Sequence, residues 1–174
     1  MDNKILFTES QKFKQWWLWL ILLGINGFLL YGFYIQLLIK QPFGDKPMSD
    51  NGLIVAVFIS ILVSLLFYTI KLQTIIKDDG IYYRFFPIHK AFRKFIWDRI
   101  KLSFIRKYNP ITEYGGWGLR FGLMGMGKAV NISGNKGLQL VLTTNSKILI
   151  GTNKPDELNE VLSRIGQIKE LLPS

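Results

Sequence analysis

The sequence contains no cysteine and a single histidine, His89, among its 174 residues. The absence of cysteine excludes disulfides, thiolate metal sites and cysteine nucleophiles. One histidine is too few for a multi-histidine metal site, and a Ser/His triad would have to use His89 itself. Acidic residues are also scarce, since 12 Asp and Glu face 22 Lys and Arg and leave a net charge of +10. We therefore expect no cofactor, and a partner of opposite sign: lipid headgroups, nucleic acid or an acidic protein.

Two long uncharged runs lie near the N-terminus. Residues 16–39 are 24 consecutive residues without a charge, and as a helix they would span roughly 36 Å. Residues 53–70 form a second run of 18 residues. A hydrocarbon core of about 30 Å accommodates both. A signal peptide is the alternative for the first run, but the run is too long and no small-residue cleavage site follows it. We predict a transmembrane helical hairpin over residues 16–71.

The distribution of cations predicts the orientation of this hairpin. The connector holds Lys46, with Lys40 at its boundary, whereas cations flank the two runs on the outer sides: Lys4, Lys12, Lys14, Lys71, Lys77 and Arg84. Because cytoplasmic segments carry the excess of Lys and Arg, both termini are expected in the cytoplasm and the hairpin in the inner membrane. Residues 1–15 then form a cytoplasmic N-terminal segment.

Small and polar residues occur halfway along both runs. Gly24 and Gly27 in the first run, with Ser60 and Ser64 in the second, predict that the helices approach closely. Asn26 is expected to donate or accept a hydrogen bond across that contact. A transport path is the alternative for Asn26, but neither run contains Asp, Glu, Lys, Arg or His, which are typical of such paths.

Beyond the second run, the pattern changes to short strands separated by turns. We predict a cytoplasmic domain over residues 72–174 that is a small antiparallel barrel or sandwich. The predicted strands are residues 72–77, 81–86, 95–97, 101–108, 119–123, 129–132, 138–143 and 147–150. A closing amphipathic helix should begin near Pro155. Its apolar positions at helical spacing are Leu158, Val161, Leu162, Ile165, Ile168 and Leu172.

Four segments of this domain carry a family resemblance. They are residues 79–85 (DGIYYRF), 114–120 (YGGWGLR), 132–140 (ISGNKGLQL) and 148–152 (ILIGT). With the two apolar runs, they resemble a group of small bacterial membrane proteins that have two N-terminal transmembrane helices and a pleckstrin-homology-like (PH-like) domain. The resemblance implies a fold and a location but no activity. PH-like folds bind lipid headgroups, peptides or other subunits, and the phosphoinositide motif of eukaryotic members is a basic cluster between the first two strands. Here the first predicted turn, Asp78-Asp79-Gly80, is acidic.

A glycine-rich segment has the spacing of a P-loop. Gly122, Gly127 and Lys128 match G-x-x-x-x-G-K, but Ala129 follows where a P-loop has Ser or Thr. A P-loop also requires a helix that begins at the lysine. Strand and turn residues follow instead, and we interpret this segment as a hairpin connection.

The candidate contact residues form a basic centre together with a glycine-rich bend. Between residues 71 and 128, twelve Lys and Arg face four acidic residues, a balance of +8. The residues expected to contact anionic lipid or a partner protein are Lys90, Arg93, Lys94, Arg99, Lys101, Arg106, Lys107, Trp117 and Arg120. The alternatives are a solvated face for the cations and a bend pinned by a packed Trp117.

Three functions remain open on the sequence. The first is a membrane-tethered interaction module without catalysis, which docks on the inner leaflet or on another membrane protein. The second is an accessory subunit of a transporter or envelope complex. A membrane enzyme with a site between the helices and the domain is disfavoured because no convergent catalytic set is present. Nucleic acid is disfavoured as a partner because a tethered domain meets lipid first.

Overall fold

Residues 4–122 and 125–169 are described by the structure, which is a computed structural model. The chain divides into two compact units. One combines Met1–Phe13 with Ile70–Ser174, and the other is Lys14–Thr69. The helical unit is therefore an insertion into the chain of the β-rich unit.

Two apolar helices make up the inserted unit. Helix α1 (Trp16–Phe33) continues into a π-helical segment (Tyr34–Leu38), and helix α2 covers Asp50–Thr69. Both are long and apolar enough to cross a membrane. The prediction of a helix in each uncharged run is confirmed, although α2 begins three residues before the run at Leu53.

Polar side chains join the two helices halfway along their length. The Nδ2 atom of Asn26 donates to Ser64 Oγ at 2.8 Å, and Ser60 Oγ donates to Asn26 Oδ1 at 3.0 Å. The predicted hydrogen bond of Asn26 across the contact is confirmed. The prediction for Gly24 and Gly27 is wrong, because a Cβ atom at either position would meet nothing within 4 Å.

The first sheet contains a strand that the sequence analysis did not predict. Its strands are β1 (Ile5–Lys12), β2 (Lys71–Lys77), β3 (Gly80–Phe86) and β4 (Arg93–Ile96), antiparallel in the order β1-β2-β3-β4. Residues 1–15, which we expected as a separate segment, thus supply an edge strand of the domain.

The pairing of β1 with β2 fixes where the helical unit joins the domain. Lys12 is the cross-strand partner of Lys71. The chain therefore leaves and re-enters the sheet at one end of a β-hairpin. The acidic turn at Asp78-Asp79-Gly80 joins the second and third strands, and the inserted helices occupy the connection between the first two.

The second sheet is mixed. Its strands are β5 (Ile100–Lys107), β6 (Gly118–Phe121), β7 (Lys128–Asn131), β8 (Lys136–Leu142) and β9 (Lys147–Gly151), in the order β5-β8-β9-β7-β6. The expected antiparallel arrangement is wrong at one pair, because β7 runs parallel to β9. The β6–β7 hairpin lies along the edge of β9 that is not paired with β8. A short helix, α3 (Pro110–Tyr114), precedes β6.

The C-terminal helix is shorter than its apolar spacing predicted. Helix α4 covers Pro155–Arg164, and Gly166 follows with a φ of 64°. Ile165 and Ile168 still pack against the core, but they lie beyond the helix. Lys169 forms an isolated β-bridge with Ser103. Leu172 lies outside the described residues.

One apolar core joins the two sheets and α4. Helix α4 contributes Leu158, Val161 and Leu162, as the sequence predicted. The strands contribute Phe7 from β1 and a set of fully buried side chains: Leu72, Ile76, Ile81, Leu138, Leu140 and Ile150.

Candidate functional site

The predicted basic residues are spread over both sheets. Arg93 and Lys94 lie on β4, at an edge of the first sheet, whereas Lys101 and Lys107 lie on β5, at an edge of the second. Those that are exposed are Lys90, Arg93, Lys94, Arg99, Lys101, Lys107 and Arg120. The basic centre is therefore a distributed surface, available for electrostatic contact along two strand edges.

Lys94 is the one exposed cation of this set that has an ion-pair partner among the described residues. Its Nζ atom lies 2.5 Å from Asp79 Oδ2, which also accepts a hydrogen bond from the Tyr82 hydroxyl at 2.7 Å. The hydrogen bond from Lys94 lowers the pKa of Asp79, and the same contact raises the pKa of Lys94. The charge of Lys94 is therefore compensated within the domain.

Arg106 belongs to an internal network. Its Nη1 atom lies 2.8 Å from Glu113 Oε2, Nε donates to Gln139 Oε1 at 3.0 Å, and Nη2 donates to the Tyr114 hydroxyl at 3.1 Å. Burial raises the pKa of Tyr114, which keeps its hydroxyl neutral. The half-buried guanidinium thus fastens α3 to the outer face of the second sheet and is not part of the surface available for docking.

Trp117 and Arg120 stabilise the glycine-rich bend. The indole Nε1 of Trp117 donates to Gly134 O at 3.3 Å, and Arg120 Nε donates to Trp117 O at 3.0 Å. Gly115 ends α3 in the left-handed region, with a φ of 69°. These bonds agree with the alternative of a bend pinned by a packed tryptophan. The guanidinium of Arg120 is exposed beside it.

A groove on the outer face of the second sheet was not predicted. It has a volume of about 630 Å³ and an apolar lining of Leu102, Phe104, Met126 and Val141, with Arg106 and Gln139 among its polar residues. The sequence of β5 contains a pattern that could have indicated this groove, because Leu102 and Phe104 alternate with Ser103 and Ile105. Ser103 is fully buried in the structure and Ile105 packs against the core, so the alternating set of Leu102 and Phe104 faces outward.

The glycine-rich segment with P-loop spacing is a connection between strands. It follows β6, and Lys128 is the first residue of β7. A P-loop lysine would instead begin a helix, so the interpretation as a hairpin connection agrees with the structure. Within residues 4–122 and 125–169, no group of three or more His, Cys, Asp or Glu is placed to hold a metal ion.

The comparisons with known proteins found no matching family model and no matching curated protein. The resemblance to PH-like bacterial membrane proteins stays a prediction.

Proposed function

We propose that the protein is a membrane-anchored interaction module whose β domain docks on the anionic inner leaflet. Helices α1 and α2 would cross the bilayer as a hairpin. Large apolar side chains cover them and are exposed, among them Trp16 (74%), Leu23 (72%) and Phe58 (66%). In water, such an exposed apolar surface would promote aggregation, whereas in a membrane the hydrocarbon of the bilayer would cover it.

The order of the strands supports a PH-like domain. The resemblance implies about seven antiparallel strands closed by a C-terminal helix. The described residues form nine strands in two sheets, with one parallel pair, and a closing helix follows them. The β6–β7 hairpin would be an addition to that plan at the edge of β9. The helical insertion lies between β1 and β2, where eukaryotic members have their phosphoinositide motif. We therefore propose docking through the distributed basic surface.

The observation that carries the proposal is the pairing of Lys12 with Lys71 at the end of the β1–β2 hairpin. Only residues 13–15 connect Lys12 to α1, and Ile70 alone separates α2 from Lys71. These short connections would keep the domain beside the headgroups. Each cation near an anionic leaflet contributes about 1 kcal/mol of attraction, and this attraction falls off within a Debye length of about 8 Å.

The groove on the outer face of the second sheet favours a second candidate function. Its apolar lining and its volume of about 630 Å³ suit a segment of another protein. An accessory subunit of a membrane complex would use such a surface, and it would retain the same anchor.

Amide exchange of the full chain in lipid nanodiscs tests the docking proposal. A triple variant changes Lys90, Arg99 and Lys101 to Gln, because these cations are exposed and take part in none of the ion pairs that the described residues form. On anionic nanodiscs at low salt, we expect slower exchange in residues 88–107 than on zwitterionic nanodiscs. High salt should remove the difference, and the triple variant should reduce it, since its three charges supply at most about 3 kcal/mol of the attraction.

The matched control changes the exposed Lys4, Lys136 and Arg164 to Gln, which removes the same charge from other parts of the β-rich unit. This control should retain most of the protection. Equal exchange on the two lipids would refute docking. An equal loss of protection in both triple variants would show that net charge, and not the proposed surface, is responsible.

A further inference from the structure

A second cavity of the β-rich unit is lined from both sheets. Its volume is about 580 Å³. Tyr83, Arg93 and Phe95 line it from the first sheet, and Lys128 and Lys147 line it from the second. We call it the basic cavity, after its three cations Arg93, Lys128 and Lys147.

The positive charge of the basic cavity has no acidic counterpart. None of its described lining residues is Asp or Glu. The ion pairs of the described residues use Lys94, Arg106 and Lys154. Lys128 lies over the ring of Phe121, with its Nζ atom 5.4 Å from the centroid. Like charges held in one cleft raise the local potential and concentrate anions there.

Glycines bring two of these cations onto neighbouring strands. Lys128 begins β7 and pairs with Ile148 of β9, the residue after Lys147. Gly127 has a φ of 81°, and a Cβ atom there would lie 2.1 Å from Lys147 O. The backbone therefore approaches Lys147 as only glycine permits. Gly122 N donates to Gly127 O at 2.6 Å and closes the connection. The glycine spacing that imitates a P-loop thus serves to place Lys128 beside the start of β9.

Uncharged side chains complete the lining. Tyr83 and Phe95 stack with their centroids 5.6 Å apart and their planes at 11°. Asn145 and Ser146 from the β8–β9 turn supply polar groups. A cavity of this size has room for an anionic group together with the organic part that carries it. Multiply charged anions with several acceptor oxygens suit three convergent cations better than a single carboxylate does.

We propose that the basic cavity binds the phosphate of a phosphorylated ligand, either a soluble phosphate ester or a lipid headgroup, through Arg93, Lys128 and Lys147. This site goes beyond leaflet docking, because it shares only Arg93 with the distributed basic surface and requires no bilayer.

His89 is a natural reporter for the basic cavity. It is the only histidine of the chain, and its ring centroid lies 5.7 Å from that of Tyr83, which lines the cavity. Its pKa is lowered by burial and, to a lesser degree, by the charges of Arg93 and Lys128. An anion that neutralises these two cations removes part of this effect, so it should raise the pKa of His89.

The test uses the full chain with isotope-labelled histidine in maltoside micelles, which contain no phosphate. The NMR signal of His89 is titrated with pH at constant ionic strength. One arm adds glycerol phosphate, a second adds phosphatidic acid to the micelles, and a third adds only chloride. We expect the pKa of His89 to rise with a phosphate-bearing probe and to stay unchanged with chloride. A response to glycerol phosphate supports a soluble ligand, and a response to phosphatidic acid alone supports a headgroup.

Variants identify the contact residues. Arg93→Gln, Lys128→Gln and Lys147→Gln each remove one exposed cation, and each should weaken binding of the active probe about tenfold or more. Lys136→Gln, at the exposed start of β8, is the matched control and should bind as the wild type does, because Lys136 belongs neither to the cavity nor to the distributed basic surface. The proposal is overturned if neither probe shifts the His89 signal, if chloride shifts it equally, or if Lys136→Gln weakens binding as much as the cavity variants. Because the micelles present no anionic leaflet in the glycerol phosphate arm, that arm is independent of leaflet docking.

Discussion

Replacement of Phe7 by Ala tests whether the N-terminal strand belongs to the core of the domain. Phe7 is 3% exposed and packs in the cluster that contains Leu72 and Ile76. Truncation of a buried Phe to Ala typically costs about 3–5 kcal/mol, because transfer energy is lost and a cavity remains. Domains are usually stable by about 5–15 kcal/mol, so this loss should be a large part of the total.

The assay is urea unfolding of the full chain in micelles, followed by proteolysis of the unfolded β domain. The matched control is Ile5→Ala in the same strand, where the side chain is 55% exposed. Ile5→Ala should change the free energy of unfolding by about 0.5 kcal/mol or less. If Phe7→Ala and Ile5→Ala unfold at the same urea concentration, β1 is not part of the core and the β1–β2 hairpin is wrong.

Three further predictions concern buried or half-buried polar groups. Glu9→Gln should lower the free energy of unfolding by about 1–3 kcal/mol in the same assay, because the carboxylate accepts from Thr152 Oγ1 at 2.7 Å and from Asn153 N at 2.8 Å. Asn26→Leu removes both hydrogen bonds across the helices and should destabilise their pairing by only about 0.5–2 kcal/mol, measured by forced separation of the helices in micelles. His89 has a lowered pKa in the folded protein, so the unfolded chain binds more protons below about pH 6.5 and stability should fall as the pH drops through that value. In melting curves recorded against pH, His89→Gln should remove this part of the dependence, and an unchanged slope would contradict it.

The elements with strong apolar patterns could be predicted from the sequence, and β1 could not. Uncharged runs of 24 and 18 residues identify the helices without any tertiary information. Strand β1 has the alternating burial of a half-buried strand, but Glu9 and Gln11 occupy two of its buried positions. Their hydrogen bonds to Thr152 and Gly151 satisfy them, and those partners lie more than 100 residues away. A search for apolar alternation therefore finds no strand there.

The candidate site, too, could be predicted from the sequence only in part. The cations and their excess over acidic residues are visible in the sequence, but their partners are set by the fold. Asp79, in the turn between β2 and β3, compensates Lys94 of β4, and Gln139 reaches Arg106 from the neighbouring strand β8. The convergence of Arg93 and Lys128 likewise depends on the packing of one sheet against the other.

Labelling of single cysteines in intact cells tests most directly whether the chain spans the membrane with its β domain inside. The sequence has no cysteine, so an introduced one is the only thiol. Asp45→Cys lies in the exposed connection between α1 and α2, and Thr144→Cys lies in the exposed β8–β9 turn. An impermeant thiol reagent should label Asp45→Cys in intact cells and should label Thr144→Cys only after the cells are opened. Labelling of Thr144→Cys but not of Asp45→Cys in intact cells would contradict the account.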